Sequence, residues 1–216
     1  MEVIFTKQIG RGYGVRLRRQ DGCDYELRSF DRKLSLPHDI THFVVERELG
    51  LERGLWGSIA RGAVFENMRH VRGRRPPHSA QQSKSVIQEM DAEAEVLVSQ
   101  LFAIFEKGWE DNWPAASALL KGGWRPRHPS RPPVTAEEVK RTCLALREVQ
   151  TGWNALSPGG AMTISWSSRK PRKRYGSASI KSSANRSNSS LSHSSKSRSA
   201  TGAFFAATEP GCGCHY

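Results

Sequence analysis

From Gly12 to Phe30 the chain alternates apolar and charged residues on either side of Gln20-Asp21-Gly22. Side chains along a strand point to opposite faces with period two, so a slip of one residue exposes the whole apolar set. A two-residue Asp-Gly turn sets Leu17 opposite Glu26 and mixes the faces. A three-residue loop with Gly22 in the left-handed region sets Leu17 opposite Tyr25, Val15 opposite Leu27 and Arg16 opposite Glu26. The spacing therefore predicts a three-residue hairpin loop with a bulge. The sheet it starts is apolar on one side and charged on the other. Residues 2–9 are β-prone, with Val3 and Phe5 on one face. Met162, Ile164 and Trp166 share a face of a last strand, which is expected to return to this sheet and close the domain.

The rest of the body reads as helical. Ser35-Leu36-Pro37 is a helix start with Ser35 as cap, and the helix runs to about Leu49 and stops at Gly50. A second helical piece is expected over Leu55–Met68. Arg69 to Pro77 reads as a basic loop, because Gly73, Pro76 and Pro77 break any pattern. The longest helix is expected from Ala80 to Lys107. Its Ile87, Met90, Ala94, Leu97, Leu101 and Ile104 step by three and four, a heptad seam. Val86, Val98, Phe102 and Phe105 widen that seam, which favours packing within the chain; a homodimer contact through helix 80–107 is the alternative. Asn112 to Lys121 reads as a short helix closed by Gly122-Gly123. Residues 125–134, rich in Pro and Arg, read as an extended connector. Thr135 and Glu138 make a capping box for a helix with Val139, Cys143, Leu146, Val149, Trp153 and Leu156 on one face.

Charge divides the chain. Its net charge is +12 and its mean hydropathy −0.58. Residues 167–216 carry nine Lys or Arg against one acid, and fourteen serines lie between Ser167 and Ala200. Such a stretch buries too little apolar surface to offset the entropy of ordering it, so a disordered basic tail is expected over 167–216. The basic residues Arg169, Lys170, Arg172, Lys173 and Arg174, with Arg72, Arg74 and Arg75 of the loop, offer phosphate contacts without any base-reading feature. They carry a nonspecific nucleic-acid alternative. No apolar run is long enough to span a bilayer, and no secretory leader is legible, so no membrane partner is expected. The four cysteines include no CxxC pair, which suits a reducing cytoplasm.

One cluster offers chemistry. His38-Asp39-Ile40-Thr41-His42 lies on the first helix, where His38, His42 and Glu46 fall on one side. Two imidazoles four residues apart can bind one divalent ion. This HDxxH resembles the HExxH motif of zincin metalloproteases. The resemblance implies zinc on His38 and His42, Asp39 as general base, and a third ligand from a later helix, for which Glu66 stands in the matching place. Glu46 is the alternative carboxylate. Aspartate is one methylene shorter than the motif's glutamate and reaches less far toward a metal-bound water. The competing reading gives Asp39 to the helix dipole and His42 to packing, with Glu46 hydrogen-bonded to it. More broadly, LPHDITHFVVERELG, the opening hairpin and the LSPGG-strand resemble a set of small bacterial proteins, and that resemblance implies a domain layout but no activity.

The expected architecture is α+β: residues 1–166 form a small antiparallel sheet, hairpin strands plus a C-terminal return strand, packed on three to four helices. The leading expectation is a non-catalytic interaction or regulatory protein with a protein partner and no cofactor. A zinc-dependent hydrolase is the alternative from a different class.

Overall fold

The computed structural model describes residues 1–9, 12–27, 35–124 and 134–167. All lie in the first of the two units into which the chain divides, Met1–Arg172 and Lys173–Tyr216. Of the tail expected over 167–216, all but residue 167 lies outside the described residues, Arg169 to Arg174 included.

The fold is α+β, with a five-stranded antiparallel sheet and six helices among the described residues. The strands are β1 (Glu2–Lys7), β2 (Tyr13–Arg18), β3 (Asp24–Leu27), β4 (Met68–Arg72) and β5 (Ala161–Ser165), in spatial order β4-β3-β2-β1-β5. The hairpin has the register that alternation demands: Val15 faces Leu27, Arg16 faces Glu26 and Leu17 faces Tyr25. Arg19 N–H donates to the Cys23 carbonyl at 2.9 Å, which leaves Gln20, Asp21 and Gly22 as the loop, with Gly22 at φ 80°. That left-handed backbone is where glycine is favoured. Arg16 meets Glu26 at 2.6 Å on the open face.

Two inward rows cross all five strands. One runs Met162, Phe5, Val15, Leu27, Met68; the other runs Ile164, Val3, Leu17, Tyr25, His70. The outward rows carry the charges, with Arg18 and Arg72 on either side of Asp24, and Arg16 and Arg69 on either side of Glu26. This explains the first correction to the expected elements. Met68–Arg72 is an edge strand and not part of a basic loop, because Met68 and His70 turn inward while Arg69 finds Glu26. Its period of two was hidden by the arginines around it.

The helices are α1 (His38–Leu49), α2 (Leu55–Ala60), α3 (Ser79–Gln88), α4 (Ala92–Glu106), α5 (Trp113–Trp124) and α6 (Ala136–Ala155). Six replace the expected three to four for definite reasons. The piece expected over 55–68 ends at Ala60, since Gly62 takes φ 115° and β4 begins at Met68. The helix expected over 80–107 is two. Asp91 accepts the Glu93 N–H at 2.9 Å and caps α4, while its own N–H donates to the Arg53 carbonyl at 3.0 Å. The heptad seam is therefore interrupted. Leu97, Leu101 and Ile104 are buried within the chain, while Ile87 on α3 is 36% exposed. Ser35 does not cap α1. Its hydroxyl bonds to Glu106, and the helix starts after Pro37, whose carbonyl takes the Thr41 hydroxyl at 3.2 Å. The α5 helix runs through Gly122-Gly123 to Trp124. The Thr135–Glu138 capping box forms as expected.

At the centre lies α1, packed on α2, α4 and α6. Phe43 on α1 meets the rings of Phe5, Trp56 and Trp166 edge-on, with centroids 6.2, 5.3 and 5.4 Å away. Because α1 is covered on most sides, its polar residues His42, Glu46 and Glu48 are buried too. Buried polar groups need partners, and the partners of His42 and Glu46 define the site below. No helix among the described residues is long and apolar enough to cross a membrane.

Cys143 on α6 is fully buried, and burial first, then the charge of Glu110, pushes its thiol up to about 12, against a smaller pull from Arg147. The folded state thus favours the neutral thiol. This contribution is whole below the unfolded thiol value of roughly 8.5 and is lost as pH rises toward the folded value. In a C212S/C214S background, Cys143 is expected to react with a disulfide reagent at pH 8.5 only as fast as the fold opens. Immediate labelling would refute the burial.

Candidate metal centre

The site is built by two helices and one turn. Along α1, His38 and His42 lie one turn apart, with ring centroids 4.4 Å from each other. From α4, the first-turn Glu95 reaches the same place: its Oε2 is 3.3 Å from His42 Nε2. One ligand atom each of His38, His42 and Glu95 lies within 4.8 Å of the others. A tetrahedral zinc with bonds of about 2.0–2.1 Å needs donors roughly 3.4 Å apart, so the group must draw in by about an ångström. The Glu95 side chain is 44% exposed.

His42 is held from its other side. Its Nδ1 is 3.1 Å from Glu46 Oε1. Its Nε2 is buried and makes no hydrogen bond, although Glu95 stands 3.3 Å away, since the geometry of that approach is not that of an N–H···O bond. Burial alone would push the His42 imidazole down. The hydrogen bond to Glu46, then the charges of Glu46, Glu95 and Asp39, outweigh it and hold the ring above the ordinary imidazole value. The ring is thus an electron-rich donor with one nitrogen occupied and one sequestered beside a carboxylate.

Glu46 is fully buried and takes three backbone donors besides His42: Leu55 N–H at 3.0 Å, Trp56 N–H at 2.8 Å and Gly57 N–H at 3.3 Å. The local sequence explains this. Gly50 ends α1 in the left-handed region, the Leu51 N–H returns to the Glu46 carbonyl at 2.8 Å, and the chain turns back so that the start of α2 faces Glu46.

The sequence-derived residues divide accordingly. His38 and His42 converge. Glu66 does not join them: it is exposed in the turn before β4, because the helix expected to carry it ends at Ala60. Glu95 takes the place that Glu66 was expected to fill, and it does stand on a later helix. Nothing local marked it, since its meeting with α1 depends on how α4 packs. Glu46 lies behind His42 and not in the ligand group. Asp39 Oδ1 is 3.5 Å from His38 Nδ1, and the Asp39 carbonyl accepts the Trp56 indole N–H at 2.8 Å. Arg72, Arg74 and Arg75 are exposed, with Arg72 opposite Asp24 on β4.

Fold and site together define an α+β domain with a two-histidine, one-carboxylate cluster between its central helix and α4. No family model, curated protein or solved structure matches the chain.

Proposed function

We propose that this chain is a divalent-metal-binding protein, with zinc as the fitting ion and His38, His42 and Glu95 as its ligands. The observation that carries the reading is the buried, unbonded Nε2 of His42 aimed at the point where His38 and Glu95 converge. Two imidazoles and a carboxylate suit zinc and its borderline neighbours better than magnesium or calcium, which prefer all-oxygen shells. This reading takes precedence over a partner-binding module because the apolar stripe of α4 is used inside the chain. A cytoplasmic location belongs to the same proposal and is supported by two buried free thiols, Cys23 and Cys143.

Hydrolysis is the second reading. It is favoured by the donor count, since three protein ligands would leave a fourth position for water.

The test uses full-length protein in a C212S/C214S background, because those thiols are soft-metal donors of their own. After chelation and reloading, one zinc per chain is expected. His38→Ala and Glu95→Gln should each weaken binding at least tenfold, while Glu66→Gln should leave it unchanged. A chain that takes up no stoichiometric zinc, or binds it equally well without His38, refutes the reading. Turnover of an activated ester by the zinc-loaded protein, lost in Asp39→Asn at equal zinc content, supports hydrolysis. Absence of turnover removes it.

A further inference from the structure

We infer that Glu46 is a positioning residue: it fixes the His42 tautomer and thereby selects Nε2 as the atom His42 offers to a ligand. This rests on the metal reading for its purpose, but the tautomer is a property of the metal-free protein.

A carboxylate has two oxygens, about four lone-pair sites and no hydrogen to give. On Glu46, Oε1 receives His42 Nδ1 and Leu55 N–H, and Oε2 receives Trp56 and Gly57 N–H. The backbone amides are obligate donors. The hydrogen shared with His42 therefore comes from the imidazole, which makes the neutral ring the Nδ1–H tautomer and leaves the lone pair on Nε2. That atom is the one buried without a hydrogen bond beside Glu95. Orientation of a metal-binding histidine through its second nitrogen is a general device.

The carboxylate is wedged in place. A Cβ on Gly54 would lie 2.4 Å from the Glu46 carboxyl carbon. Gly54 has φ −75°, which other residues adopt freely, so space alone excludes a side chain there. A glutamine at 46 does not suffice. Its single oxygen serves one side of the group, and its NH2 then opposes either the Trp56 and Gly57 amides or the Leu55 amide and the imidazole N–H. In the second arrangement His42 relieves the clash by moving its proton to Nε2, which removes the lone pair from the metal side.

The experiment is nitrogen-15 spectroscopy of the histidine rings in the metal-free, full-length C212S/C214S protein, at a pH where His42 is neutral, followed by titration with zinc chloride. The wild-type side chain should show Nδ1 protonated and Nε2 bare. Glu46→Gln should shift the tautomer toward Nε2–H and weaken zinc by about 10–100-fold. Gly54→Ala, which alters no ligand, should move both readouts the same way by displacing the carboxylate. Glu48→Gln, another buried acid on α1, should change neither. An Nε2–H tautomer in the wild-type protein overturns the inference, as does an unchanged tautomer in a folded Glu46→Gln. If Glu46→Gln does not fold, the wild-type spectrum and Gly54→Ala decide the matter. A wild-type Nδ1–H tautomer in a chain that takes no zinc supports the assignment to Glu46 and refutes the metal reading.

Discussion

Trp56→Ala is expected to destabilise the fold by about 4 kcal/mol, the usual range for deleting a buried large aromatic. The indole is fully buried and packs edge-on against Phe5 at 5.8 Å and Phe43 at 5.3 Å. Phe43 in turn meets Trp166, so one aromatic group joins β1, α1, α2 and the chain just after β5. Alanine leaves a cavity that these rings cannot fill without leaving their own contacts. It also removes the indole N–H from the Asp39 carbonyl. Trp56→Phe keeps most of the volume and loses that donor, at a cost of about 1–2 kcal/mol. Domains of this kind are stable by roughly 5–15 kcal/mol, so the alanine variant should lose about a quarter or more of the total. Urea unfolding followed by circular dichroism measures the difference. A loss below about 1.5 kcal/mol would mean that the ring is not part of the core.

Zinc should stabilise the wild-type protein by about 4 kcal/mol at a free concentration one thousand times the dissociation constant. For a domain of this size that is a rise in Tm on the order of 10 °C. The reason is topological. His38 and His42 stand on α1 and Glu95 on α4, so an ion held by all three ties together segments that separate on unfolding. Glu95→Gln leaves the two histidines, which are neighbours on one helix, and the tie to α4 is lost. Zinc should then shift the melting temperature by only a few degrees. Differential scanning calorimetry in the C212S/C214S background, with magnesium as the control, reads this directly. Equal zinc effects in the two proteins would exclude Glu95 as a ligand.

Local chemistry was legible where a few neighbouring residues decide the outcome. The hairpin register follows from the alternation around Asp21-Gly22, and β1 and β5 follow from Val3, Phe5, Met162 and Ile164. The start of α6 follows from Thr135 and Glu138. Two local signals were outweighed. Asp91 before an acidic first turn is a helix start, but a regular apolar spacing ran across it. Met68 and His70 alternate with Arg69 and Val71, but the surrounding arginines and prolines gave the segment the look of a loop. In both cases a longer pattern masked a short one.

Of the candidate site, the sequence by itself determined His38 and His42, because helical spacing places residues four apart on one face whatever surrounds them. Only the tertiary structure decided the rest. Glu95 replaced Glu66 because α2 stops at Ala60 and α4 lies against α1. The His42–Glu46 hydrogen bond follows from that helical spacing too, but only the turn after Gly50 brings three amides onto the carboxylate and saturates it. Spacing along one helix is a local property of the backbone. Which carboxylate arrives from another helix, and which is already saturated, depends on packing among elements far apart in the chain.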